Sequence, residues 1–205
     1  MWPQLRELIR EQSDFIDRNT YLLDIYAGML IAEKDWVAAE ETIRRLKAAA
    51  KDEGRAETRT ASIMMQRDGK FAEAAQLLTQ VLAVAPNGRD NIRRVRAMAA
   101  ANSGGAGIAT ARTDVEYLKT RPNGAESARR IEAVILLVEG DHDAALQHLA
   151  SIRTPSAQDK LLEGRILEAK SHDIMVPLSE REECKKKSAE IRARYSIVDE
   201  FDADI

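Results

Sequence analysis

One short pattern returns four times along the chain, and that recurrence constrains the fold more than any other feature. KDWVAAEETIRRL begins at Lys34, GKFAEAAQLLTQVL at Gly69, GAGIATARTDVEYL at Gly105 and GDHDAALQHLASI at Gly140. Successive starts lie 35, 36 and 35 residues apart. A fixed period of this length marks stacked supersecondary units, each unable to bury its apolar face except against a neighbour.

Each copy is preceded by apolar residues at helical spacing, such as Tyr21, Leu22, Ile25 and Met29, or Ile131, Val134, Ile135 and Val138. Steps of three and four place them on one stripe, so each unit reads as helix, tight turn, helix. Glycine explains the turn: Gly69 and Gly140 can adopt positive φ and close the first helix. Asp35 or Asp141 then accepts hydrogen bonds from the free amides of the second. Behind it, Pro86 and Pro122, each followed by Asn-Gly, stop the second helix. Ala38, Ala39, Ala74, Ala75, Ala144 and Ala145 allow close helix approach, and Leu46, Leu78, Leu82 and Leu149 fill the space between units. Aromatics at only 4% favour the same all-α reading.

The units resemble tetratricopeptide repeats, with Gly then aromatic at the turn, Ala soon after and Pro at the end. Residues 56–87 carry Gly69, Phe71, Ala74, Leu78 and Pro86, and are the best match. The first copy keeps Trp36 and Ala39 but has Lys34 for glycine, and the third has Gly107 where an aromatic is expected. The resemblance covers about residues 20–157 and implies an α-α superhelix, a solenoid of four to five hairpins spanning 20–52, 56–87, 90–122, 126–157 and an irregular last pair. A capping helix over 1–18, with Leu5, Leu8, Ile9, Phe15 and Ile16 on one stripe behind Pro3, is expected to cover one end. Residues 158–205 supply LLEGRILEA, then a last helix opened by Ser179 and Glu182 as a capping box after Pro177, and an acidic tail. That helix presents Cys184, Ser188, Ile191, Tyr195 and Val198 on one side, a heptad-like seam through which a homodimer is expected to be able to form.

No pattern of catalytic chemistry stands out. His142 and His148 are six apart and face different ways on a helix, so neither a metal nor another cofactor is expected. Cys184 in ECKKKS has lysine neighbours but no histidine base in pattern, and packing under the cap is the expectation. SGGAG, 103–107, lacks the Lys-Ser/Thr of a phosphate loop and falls where the period places a turn.

Charge bears on partners. The formal net charge of -3 supplies no global field for nucleic acid or an anionic membrane. The longest purely apolar run, AVILLV, is far short of a membrane span. With a single cysteine and no secretory pattern, a cytoplasmic home is expected. Locally, Arg89, Arg93, Arg94, Arg96, Arg112, Lys119, Arg121, Arg129 and Arg130 outnumber Asp90, Asp114, Glu116 and Glu126. That region suits an acidic peptide or, less well for want of interleaved aromatics, a phosphate backbone; a solvated face of helix ion pairs is the plain alternative.

In the resembled family the first helices line the concave side. The resemblance therefore implies a groove containing Tyr21, Asp24 and Gly28, then Arg59, Ile63 and Gln66, then Val95, Ala99 and Asn102, then Arg130, Val134 and Leu137. Arg93 and Arg96 join these from the basic region. The positions that clamp a C-terminal carboxylate in chaperone-binding members hold Asp24, Gly28, Thr60 and Ile92 here, and only Arg96 is compatible. The expected function is a non-catalytic scaffold that binds a peptide or helix of another protein. The alternatives are the repeat arm of a larger multidomain bacterial protein with a nucleotide-binding or hydrolase domain, and a nucleic-acid-associated factor.

Overall fold

The computed structural model describes residue 7 and residues 19–49, 54–84 and 89–195. The stripe expected over 1–18, the closing Pro86, and Val198 with the acidic tail lie outside the described residues. Within them the chain is all helical, with ten α-helices and no strand. It divides into two compact units, the first ending at Lys70 and the second starting at Phe71.

Unit 1 holds α1 (Thr20–Ala32), α2 (Trp36–Ala49) and α3 (Arg55–Gln66). Asn19 opens α1, its side chain accepting from the Tyr21 and Leu22 amides. The turn into α2 is informative because Lys34 occupies it. Lys34 has φ 60°, the left-handed conformation that glycine takes elsewhere. The Asp35 amide donates to the Leu30 carbonyl at 2.9 Å, the long bond of a Schellman cap. In unit 2 Gly140 has φ 85° and the Asp141 amide donates to the Leu136 carbonyl at 2.9 Å. One turn geometry thus serves both copies, and in the first a lysine bears its steric cost. Lys34→Gly is expected to raise the unfolding free energy of unit 1 by about 0.5–1 kcal/mol, the left-handed penalty less glycine's unfolded-state entropy. Urea denaturation followed by circular dichroism measures it. Asp35 and Asp141 also cap as expected, accepting from the amides of Ala38 and Ala144.

Unit 2 holds α4 (Phe71–Val84), α5 (Asp90–Ser103), α6 (Gly107–Lys119), α7 (Ala125–Glu139), α8 (His142–Ala150), α9 (Ala157–His172) and α10 (Leu178–Tyr195). Its core gathers on α7, where Ile131 and Ala133 are fully buried and Val134 and Ile135 nearly so, with Ala97, Ala111, Val115, Ala145 and Ile166 around them. The small residues fall where the period places them: Ala39, Ala74 and Ala145 are each 0% exposed, followed by buried Leu46, Leu78 and Leu149. The third copy departs by one residue. Gly104 and Gly105 both take positive φ, and the fully buried alanine is Ala111, with Val115 and Leu118 after it. Partly buried Ile108, and not Gly107, therefore stands at the position of Trp36 and Phe71.

Packing follows the repeat in each unit. In unit 1, α1 meets α2 and α3, and α2 meets α3; in unit 2, α5 meets α7 and α7 meets α9, while α6 and α8 pack against the first helices on either side of them. Glu40 on α2 pairs with Arg67 at 2.7 Å in unit 1, and Arg112 on α6 pairs with Glu139 at 2.7 Å in unit 2. Both partners of the second pair lie 72 residues after those of the first, two periods on, with the charges exchanged.

The last hairpin corrects two expectations. α10 begins at Leu178, so Ser179 is already inside the first turn and cannot be its N-cap. The reciprocal capping box belongs to α9, between Ser156 and Asp159. The first part of the proposed dimer seam is occupied within the chain. Cys184 and Ser188 are buried, the Ser188 hydroxyl donates to the Gly164 carbonyl at 2.9 Å, and a Cβ on Gly164 would stand 3.1 Å from Ile191 Cγ2. Any larger side chain at 164 would require Ile191 to give way by a few tenths of an ångström.

Candidate functional site

The residues singled out from the sequence divide into those that reach solvent and those committed within the chain. In unit 1, Tyr21 and Gln66 are exposed. Asp24 and Arg59 bind each other, with Arg59 Nε donating to Asp24 Oδ1 at 2.7 Å. Gly28 makes room for that pair, since a Cβ there would lie 2.8 Å from Arg59 Nη1. Ile63 is 4% exposed and belongs to the core.

In unit 2, Val134 is 1% exposed and likewise a core residue. Placing Ile63 and Val134 in an open groove is therefore corrected: a stripe drawn from period alone runs into the buried side of a helix wherever a neighbouring helix covers it. Arg93 and Arg96 converge on Asp114, which has no exposed surface. Arg93 Nη1 donates to Asp114 Oδ1 at 3.1 Å, and Arg96 donates through Nε to Oδ2 at 2.8 Å and through Nη2 to Oδ1 at 2.7 Å. This fork is the geometry in which guanidinium and carboxylate match best. The Arg93 guanidinium also lies 4.3 Å from the centre of the Tyr117 ring, whose hydroxyl donates to Asp90. Arg96, the one residue compatible with a carboxylate clamp, is thus already holding a carboxylate of its own chain.

Arg130 repeats the theme with Asp159, donating through Nε at 2.6 Å and Nη2 at 3.0 Å. Burial alone would push the Asp159 carboxyl up, but the Arg130 bonds and the Ser156 amide and hydroxyl outweigh it, and the net effect holds the group below its ordinary value of 3.8. A folded-state value below the unfolded one contributes stability above pH 3.8 that is lost as pH falls through the folded value. Asp159→Asn is expected to lower the stability of unit 2 at neutral pH and to flatten its loss between pH 5 and 2. Urea midpoints measured across that range test both.

Three more of the basic region are matched by carboxylates, Arg112 with Glu139, Lys119 with Glu132 and Arg121 with Asp90, while Arg94 donates to the Asn91 side chain and Arg129 to the Ser151 carbonyl. Sequence reasoning saw the arginines and missed their acceptors. The available signal was Asp114's place three residues after Ala111 and four before Leu118, on the stripe that packs inward. It also missed Lys170, buried between Asp143 and Glu180, each at 2.6 Å, and the contact between Arg165 and Asn102 taken up below.

His142 Nδ1 lies 3.6 Å from Asp173 and His148 Nδ1 lies 3.3 Å from Glu132. Among the described residues no group of three or more His, Cys, Asp or Glu side chains is placed to hold a metal ion. Burial pushes the Cys184 thiol up, away from the reactive thiolate. No helix among the described residues is long and apolar enough to cross a membrane. Comparison with protein-family models, with curated proteins and with solved structures returns no match.

Proposed function

We propose that the chain is a tetratricopeptide-like helical-repeat scaffold without catalytic activity, holding a peptide or helix of a partner protein against its first helices. The observation that carries this reading is the layering within unit 2. First helices α5, α7 and α9 touch in series, whereas second helices α6 and α8 are held mainly by the first helices. Closer contact on one side than the other curves such a stack toward the first helices, and a curved stack leaves that face free for an elongated ligand. The matching of Arg93, Arg96, Arg112, Lys119, Arg121 and Arg130 by carboxylates favours a peptide over a nucleic acid, whose affinity depends on unneutralised cations. The test is in-cell photo-crosslinking from Ser103 and Val138, exposed on first helices of unit 2, compared with Glu116 on a second helix. Capture of one partner from the first two positions and not the third supports the reading; capture from Glu116 alone overturns it.

A further inference from the structure

The proposal rests on the scaffold reading and makes its ligand specific. We infer that the first-helix face of unit 2 takes an acidic peptide segment, one carboxylate of which seats on Arg165 and Asn102. Arg165 on α9 donates through Nη2 to Asn102 Oδ1 on α5, a residue 63 positions earlier, at 3.3 Å. Helix α7 packs against both α5 and α9, so the contact crosses it.

Three features distinguish this pair. Arg93, Arg96, Arg112, Arg121 and Arg130 all hold carboxylates, but exposed Arg165 meets only a neutral amide, at a length typical of weak bonding. Among the described residues its Nε and Nη1 donors are not used. Asn102 Nδ2 donates to the Met98 carbonyl at 2.9 Å, which leaves its second N–H available. A carboxylate entering here would accept from the guanidinium fork and from that amide, exchanging one long neutral contact for shorter charge-assisted ones. Partly buried Met98 on α5 and Leu137 on α7, both packed on the core, are apolar residues of the same first-helix layer, Leu137 standing one period after Asn102. They suit an apolar residue beside the acidic one in an extended segment. An oligonucleotide is the poorer occupant, because among the described residues the arginines that lie over aromatic rings are Arg93, Arg121 and Arg194 and not Arg165, which leaves no stacking platform at the seat.

The test uses the full chain, isotopically labelled, titrated with an acetylated octapeptide of alternating Glu and Leu, its Gln-Leu counterpart, and an oligouridylate. Binding of the acidic peptide is expected, with shifts in the Asn102 side-chain amide and in α5 and α9. Arg165→Gln is expected to weaken it roughly tenfold, the value of one charged hydrogen bond, whereas Arg153→Gln, in the loop before α9, leaves it unchanged. Because Arg165 is exposed, Arg165→Gln should keep the wild-type urea midpoint. Absent binding at millimolar peptide, equal binding by Arg165→Gln, shifts centred on Lys185–Lys187 of α10, or Arg165-dependent binding of the oligouridylate would each overturn the assignment. If Arg165→Gln still captures its partner through Val138, the carboxylate seat fails and the scaffold reading stands.

Discussion

Asp114→Ala is expected to cost unit 2 about 3–5 kcal/mol of unfolding free energy, a loss on the scale of a broken buried ion pair. The carboxylate is fully buried, and the side chains of Arg93 and Arg96 that hold it are only 17% and 11% exposed. Truncation removes the carboxylate that two poorly solvated guanidiniums share, so the cost is dominated by the lost charge compensation and not by the contacts alone. The companion variant separates these terms. Asp114→Leu combined with Arg93→Met and Arg96→Met removes the carboxylate and both of its cations, and is expected to recover most of the loss, since an apolar replacement of a buried ion cluster is often near neutral. Urea unfolding of the full chain, followed at unit 2 by hydrogen exchange, reads both. A loss below about 1 kcal/mol for Asp114→Ala would place the pair with weak surface bridges. The expectation also governs how binding experiments on this region are read: charge reversal at Arg93 or Arg96 attacks the fold of unit 2, and a binding defect there would not by itself identify a contact residue.

What was legible in the sequence was whatever depends on short-range chemistry. Gly140, Asp141 and Ala145 specify a turn, a cap and a close approach within six residues, and the structure has all three. Lys34 shows where such reading stops, because its left-handed turn is imposed by the helices on either side and not by the residue. The one-residue offset in α6 has the same origin: two adjacent glycines, Gly104 and Gly105, both at positive φ, lengthen the turn, and burial of Ala111 then sets the register. Side-chain partnerships across the stack were hardest to see. Arg130 and Asp159 are 29 residues apart and Arg165 and Asn102 are 63 apart, and neither separation is a multiple of the period. Periodicity predicts which helices meet; it does not say which long side chains reach across. Buried carboxylates were invisible for a related reason, since an aspartate in an amphipathic pattern is read as facing water unless a cation is known to wait for it.

Ile131→Ala is the second large effect expected, about 3–4 kcal/mol, and it arises from packing and not charge. Ile131 is fully buried on α7, in the cluster that also takes Ala128, Ile135, Leu149 and Ile166. Deleting its branched chain forfeits the transfer free energy of three carbons, about 2.5 kcal/mol. A further 1 kcal/mol or so comes from the cavity that the surrounding helices fail to close. They cannot close it readily because α7 is held on both sides: α5 and α9 meet it in the first-helix layer, and α6 and α8 pack against it. Ile131→Val, which removes one methyl, should cost only about 1 kcal/mol. Exposed Val138, on the same helix, provides the contrast, and Val138→Ala is expected to change stability by less than about 0.5 kcal/mol. Equal losses at 131 and 138 would show that α7 is not the packed centre of unit 2. A loss at Ile131 near 1 kcal/mol would show that the neighbouring helices collapse into the space, the behaviour of a loosely joined array and not of a continuous core.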